Sequence, residues 1–178
     1  MVYLMLAKGF EEIEAVTVID ILRRAGIELQ TVSLGEKNVT GAHTIPVQSD
    51  IAFDEMQRDA IDMLILPGGM PGTTHLQQDV RLAALLTELA ARGTYIAAIC
   101  AAPLILGELG LLKDKHCTVF AGFEEHLKGA VLEDLEVVLD LPFITARAAG
   151  AAGAFAFEIV RLLKGGEKAD ALRKAMRY

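Results

Sequence analysis

The chain has 178 residues, the size of one ordinary domain, and hydrophobic types supply 53% of it against 23% charged, a balance that excludes disordered and collagen-like classes. Seventeen Lys and Arg against 24 Asp and Glu leave a net charge of −7. Acid is densest between Glu124 and Asp140, so a phosphate backbone is repelled and nucleic acid is not an expected partner.

Short apolar runs alternate with helical patterns, the signature of βαβ units and a mostly parallel sheet in one α/β domain spanning residues 1–178. In chain order the sequence predicts a strand at Val2 to Leu6, a helix at Glu11 to Ala25 and a strand at Ile27 to Ser33. Val39 to Ile51, with Gly41, Pro46 and alternating side chains, reads as an antiparallel excursion rather than a crossover helix. A strand at Met63 to Leu66, a helix at Val80 to Arg92, a strand at Tyr95 to Ile99 and a helix at Pro103 to Leu109 follow. Strands at Cys117 to Phe120, Leu135 to Leu139 and Phe143 to Thr145, then helices at Ala152 to Lys164 and Glu167 to Met176, complete the pattern.

Mean hydropathy is +0.39, yet the longest uncharged apolar stretch, Tyr95 to Gly107, is well short of the roughly 20 residues of a helical membrane span. The opening MVYLMLAKGFEE has no basic leader, so a secretory signal is not expected and a cytoplasmic location is. Cys100 and Cys117 lack a CxxC spacing, and a reducing compartment leaves both as thiols.

Ligands of open α/β sheets bind at the carboxyl edge of the strands, which singles out three turns: Ala7 to Glu14, Pro67 to Gly72 and Cys100 to Pro103. In TYIAAICAAPLIL an apolar strand runs into Cys100, two alanines and Pro103, the layout of a nucleophile elbow whose following amides and helix N-terminus face the side chain. A helix N-terminus lowers a cysteine pKa from about 8.5 to between roughly 3.5 and 7.5, which predicts a thiolate near neutrality. A small buried core residue fits the same spacing equally well. Cys117, inside the apparent strand CTVF with no turn after it, reads as core.

Glu14 shares a helix stripe with Thr17, Val18, Ile21, Leu22 and Ala25 that is expected to be buried. A carboxylate there is either paired or held neutral by desolvation, and a protonated carboxyl can donate to sulfur. The alternative is that Glu14, like Glu11 and Glu12, only complements the helix dipole. LPGGMPGTTH places Gly68, Gly69 and Gly72 after a strand, where missing side chains let backbone N–H groups approach an oxyanion or phosphate. Taken alone it reads first as a plain turn. It is not GxGxxG and no GK[ST] follows, which opposes dinucleotide and P-loop binding. Neither Ser33 nor Ser49 lies in GxSxG. His43, His75, His116 and His126 show no HExxH or paired spacing, so no metal site is expected, although a Cys-His dyad stays geometrically open.

With AKGFEEIE, LPGG and AAICAAP in the family's order and spacing, the chain resembles the ThiJ/PfpI superfamily over nearly its whole length, most closely the parkinsonism-associated deglycase branch with its bacterial relatives. The resemblance implies a flavodoxin-like three-layer sandwich. It implies Cys100 as an oxidation-sensitive nucleophile, Glu14 as its protonated partner, and the amides of Gly69 and Ala101 as oxyanion donors, with Gly68 beside them. Arg24, in LRRAGI, matches an arginine near the family's pocket and dimer interface. Family proteases carry a histidine directly after the cysteine, where this chain has Ala101, so peptidase activity is not expected.

Two departures stand out. Phe120 occupies a position where some relatives have a histidine, and Ala148, Ala149, Gly150 and Ala151 follow Arg147 in place of Gly-Pro-Gly-Thr. Acid–base work is left to Glu14. The expected activity is a glyoxalase or deglycase, free of metal and organic cofactor, that acts on methylglyoxal or its early adducts with amines and thiols to give lactate. The competing expectation is a redox-responsive chaperone or stress sensor in which Cys100 is oxidised. Apolar Val16 and Ile19, on another side of the first helix, predict a homodimer.

Overall fold

A computed structural model describes residues 1–178. β1 (Val2–Leu6) leads into α1 (Glu12–Arg24) and returns through β2 (Leu29–Ser33). A hairpin of β3 (Asn38–Thr40) and β4 (Pro46–Gln48) precedes β5 (Ile51–Ala52) and β6 (Met63–Leu66). Next come α2 (Gly72–Gln78), α3 (Val80–Ala91), β7 (Tyr95–Ile99) and α4 (Pro103–Glu108). β8 (His116–Cys117), β9 (Val131–Leu132), β10 (Val137–Asp140) and β11 (Phe143–Ala146) are followed by α5 (Ala152–Lys164) and α6 (Gly166–Met176). The central sheet has the order β10-β11-β7-β6-β1-β2-β5, parallel throughout except at the β10–β11 pair.

All five residues of β1 are buried, as expected of a parallel strand covered on both faces. Its alternation divides two cores. Val2, Leu4 and Leu6 pack with Val18, Ile21 and Phe155 on the α1–α5 side, whereas Tyr3 and Met5 pack with Leu82, Leu85 and Leu89 of α3 on the other. Helices on both sides of a largely parallel sheet make the three-layer, flavodoxin-like sandwich. None of the helices is long and apolar enough to cross a membrane.

Most element ends lie within two residues of their sequence-based limits, the usual fraying distance. The antiparallel excursion is the β3–β4 hairpin, after which Ile51 joins the main sheet beside β2. Two segments differ more. The expected strand at Cys117 to Phe120 is cut to β8, which pairs only with β9. Beyond it the Thr118 N–H donates to Thr145 Oγ1 at 2.9 Å and the Phe120 N–H to the Cys100 carbonyl at 2.8 Å. Those donors are spent on the neighbourhood of Cys100 rather than on a strand partner. Helix α2 had no periodic signal, because its start in the glycine-rich segment carries turn chemistry. Its first turn is closed by the Thr73 N–H donating to the Gly69 carbonyl at 2.8 Å.

Thr118 and Thr145 are both buried, so Thr145→Val leaves the Thr118 N–H without its acceptor. A loss of about 1–3 kcal/mol is expected, read as a lower urea midpoint at unchanged slope. An unaltered midpoint would remove this bond from the forces holding the 118–120 segment.

Candidate active site

β6 lies between β1 and β7 in parallel register, so the turns after these three strands meet at one edge of the sheet. Backbone bonds stitch them together. The Glu11 N–H donates to the Gly68 carbonyl at 2.9 Å and the Gly72 N–H to the Gly9 carbonyl at 3.1 Å. Gly68 has no room for a side chain, since a Cβ there would stand 2.8 Å from both Cys100 Cβ and Glu14 Oε2. Gly69 sits at φ +90°, where a Cβ would also meet the Phe10 carbonyl carbon at 2.6 Å.

Cys100 follows β7 at φ +63°, a left-handed conformation uncommon outside glycine. Its N–H donates to the Ala146 carbonyl and its carbonyl accepts from Phe120, each at 2.8 Å, so the strained turn is held from two sides. Glu14, in the first turn of α1, is 0% exposed. Its Oε2 accepts the Gly68 N–H at 2.7 Å, while Oε1 finds no partner of its own. The carboxyl also interacts with the Cys100 thiol and, by charge, with Glu11.

Burial pushes the Glu14 carboxyl up to about 7, against the lowering by its contacts with Cys100 and Gly68. Burial and then the charge of Glu14 push the Cys100 thiol up to about 12, opposed by the N–H groups of Ala101 and Gly69. Two sequence expectations are corrected here. Beside an ionised Glu14 the thiol is not a thiolate at neutrality. The groups that favour its charged form are two loop amides rather than a helix dipole, because α4 is only six residues long. Carboxyl and thiol titrate as a pair, and neither value belongs to one residue alone.

The fold therefore brings together Cys100, Glu14, Gly68, Gly69 and Ala101. Gly68 positions the acid, its N–H being committed to the carboxylate. Arg24 is not brought in: it ends α1, ten positions after Glu14, roughly 15 Å along the axis, and pairs at the surface with Asp20 at 2.7 Å. Cys117 is fully buried, its thiol pushed up to about 11 by burial and Asp140. Both cysteines are free thiols. The dyad alternative finds no free histidine. His43 pairs with Glu12, His75 Nδ1 with the Lys8 carbonyl, His116 with Glu133 and His126 with Glu108. Arg147 lies 3.5 Å from Asp134 and 3.7 Å from Glu136.

Glu12 was read from the sequence as a helix-dipole residue, but it is 7% exposed and takes the His43 N–H at 2.8 Å and the Ile45 N–H at 3.4 Å. It fastens the β3–β4 connection to α1, a contact across 31 residues for which sequence spacing carries no signal. Glu11, Glu12 and His43 hold ligand-type atoms within 4.8 Å of one another, but the Glu12 oxygens are already engaged by the hairpin.

The family model described as "DJ-1/PfpI family" matches residues 1–162. The chain is 33% identical to Protein dj-1beta of Drosophila melanogaster over 97% of its own length and 94% of the relative's. Against Deglycase PfpI of Pyrococcus furiosus the identity is 34%, covering 89% and 96%. Two plant relatives are longer, and the chain spans less than half of each. The structure of oxidized DJ-1 from Toxoplasma gondii superposes with a TM-score of 0.94 at 30% identity, covering 99% of this chain and 97% of that one.

Raising Glu14 from 4.5 to about 7 means that the folded chain holds a proton which the unfolded chain releases. The resulting stability is full below pH 4.5 and is lost as pH rises through about 7, a span on the order of 3 kcal/mol. Glu14→Gln is expected to abolish this fall and to exceed the wild type in stability above neutrality. Urea midpoints at about pH 5 and about pH 8 test this; parallel changes in both proteins would refute the shift.

Proposed function

Because the chain belongs to the DJ-1/PfpI family, we propose that it is a cysteine-dependent enzyme of the glyoxalase or deglycase type, converting methylglyoxal or its early adducts with amines and thiols to lactate. The observation that carries this is the carboxyl of Glu14 set against the Cys100 thiol in one buried space. Removing one proton from that pair leaves a single charge. Two amides, of Gly69 and Ala101, face the sulfur, against one, of Gly68, at the carboxylate. Cys100 is also partly exposed whereas Glu14 is not. In the singly deprotonated pair the charge rests mainly on Glu14, and these amides favour its passage to sulfur; the reactive arrangement is the tautomer in which the Cys100 proton has moved to Glu14.

Sulfur adds to the aldehyde carbon while the Glu14 proton passes to the aldehyde oxygen, giving a hemithioacetal. The N–H groups of Gly69 and Ala101 steady the developing oxyanion. Glu14, now a carboxylate, takes the hydrogen of that carbon as a proton to give an enediolate; the hydroxyl proton on the same carbon shifts to the former ketone oxygen, and Glu14 returns its own proton to the former ketone carbon, leaving a hydroxy thioester. Water cleaves the thioester, releases lactate and restores the protonated pair. Methylglyoxal and water together have the composition of lactic acid, so the balance needs no external oxidant or reductant. The deglycase assignment draws support from the relative that is called a deglycase.

A redox sensor is the second reading, favoured by the partial exposure of Cys100 beside an acid able to donate to a sulfinate. A protein that gains two oxygens at Cys100 with mild peroxide, yet forms no lactate before oxidation, would establish that reading instead. For the enzyme, Cys100→Ser and Glu14→Gln are each expected to lose at least about a hundredfold in lactate formation; wild-type rates in either would end the mechanism.

We also propose a homodimer. Ile13 and Val16 on α1 are 58% and 47% exposed, and Ile45 on the adjoining hairpin 54%, so the patch differs from the sequence expectation in that Ile19 is packed against the core. A second copy covering this patch accounts for its apolar character. Val16→Glu is expected to halve the mass seen by light scattering, and a wild type already monomeric at micromolar concentration would contradict the dimer.

A further inference from the structure

A cavity of about 490 Å³ is lined by Phe120 and by Arg147, the first bonded to the Cys100 backbone and the second next in the chain to a residue that is, and the reaction described above gives it no task. Its walls are pinned to the nucleophile's own backbone. Phe120 donates to the Cys100 carbonyl, and Cys100 donates to Ala146, the residue before Arg147. Segments 118–121 and 147–148, both lining the cavity, thus lie beside the Cys100 backbone.

The chemistry of the lining is apolar where it is open and self-paired where it is charged. Val119, Phe120, Leu132 and Ala148 line it, and Phe120 and Leu132 leave 44% and 46% of their surface exposed, so apolar surface there is open to a bound group. Arg147, the only cation in the lining, is engaged by Asp134 and Glu136. Glu124 accepts the Gly122 N–H at 2.7 Å, and Glu133 pairs with His116 at 2.6 Å. A carboxylate or phosphate finds no free cation there. Phe120 and Ala148 are also among the positions at which the sequence departs from the pattern it otherwise resembles, and both place hydrocarbon on this wall.

We propose that this cavity receives the substituent on the ketone side of the substrate, and that the chain prefers neutral α-oxoaldehydes bearing an aryl or branched alkyl group over methylglyoxal. The proposal rests on the glyoxalase reading and narrows its substrate class. A methyl group fills only a small part of such a volume, whereas a phenyl ring can cover Phe120 and Leu132 in edge or offset contact. Small changes in the apolar bulk of a substrate in a hydrophobic pocket alter kcat/KM by about 10- to 200-fold.

The test compares phenylglyoxal with methylglyoxal as substrates. The wild type is expected to show a kcat/KM ratio of at least about ten in favour of the aryl substrate, and Phe120→Asn and Leu132→Asn are each expected to lower that ratio several-fold. A second arm needs no turnover. Cys100→Ser protein is titrated with the aldehyde-free analogues α-hydroxyacetophenone and hydroxyacetone, with backbone NMR shifts at 118–121 and 147–148 as the readout. Tighter binding of the aryl analogue, by about tenfold, with shifts at those positions supports the subsite. If neither aldehyde is consumed but this binding holds, the glyoxalase reading falls and the subsite survives. If methylglyoxal is consumed at least as well as phenylglyoxal, with a ratio unmoved by the two variants, the subsite inference is overturned and the glyoxalase reading stands.

Discussion

Two acidic groups share one buried space, and they cannot both be charged. Glu14 has lost all contact with water and has one backbone donor for its oxygens, so its charge is poorly solvated unless the thiol alongside keeps its proton. Ionising Cys100 in turn is opposed first by burial and then by that carboxylate. The pair therefore behaves as a store of one exchangeable proton, and much of the surrounding loop geometry serves to keep its members close. Gly68 shows this most directly: any side chain there would intrude on Cys100 and Glu14 at once, so that residue's size is a condition of the contact.

Close approach also has a conformational cost. A non-glycine residue in a sparsely populated backbone region costs about 1–3 kcal/mol and persists only where its surroundings over-determine it. At Cys100 that role falls to Ala146 on β11 and Phe120 on the segment after β8, which take both backbone polar groups of the residue. The Phe120 bond, together with that from the Thr118 N–H to Thr145 Oγ1, explains why the chain after Cys117 abandons strand pairing. Tension at the turn, the short β8 and the open apolar cavity are consequences of one arrangement, in which a peripheral segment is drawn across the carboxyl end of β7 instead of extending a ladder.

The layers of the fold were legible because a strand buried on both faces leaves an unbroken apolar run, as in VYLML and YIAAI, and because amphipathic stretches such as that of α1 carry their period openly. The elbow was legible for a related reason: small residues and Pro103 after a strand end admit few other conformations. What stayed hidden depends on distance in the chain. The Glu12 contact with the hairpin spans 31 residues, and nothing in the spacing of EEIE separates the glutamate that fastens a loop from the one that faces a thiol. The titration of Cys100 was misjudged for a similar reason. Spacing reports which amides stand near a sulfur, but the dominant influence is desolvation, set by how many other elements close over it.

Absence of a free histidine gives the carboxyl a wider duty in the proposed chemistry. Each imidazole is held elsewhere by hydrogen bonding, three by carboxylates and His75 by a backbone carbonyl. Phe120, whose N–H donates to the Cys100 carbonyl, has no side-chain proton to exchange. An ordinary glutamate is a poor general acid at neutral pH, because nearly all of it is ionised. Burial that holds Glu14 at about 7 removes this defect, since a group titrating near the working pH can give a proton in one step and accept one in the next. The desolvation that weakens the fold above neutrality is thus the same property that fits one carboxyl for both proton transfers.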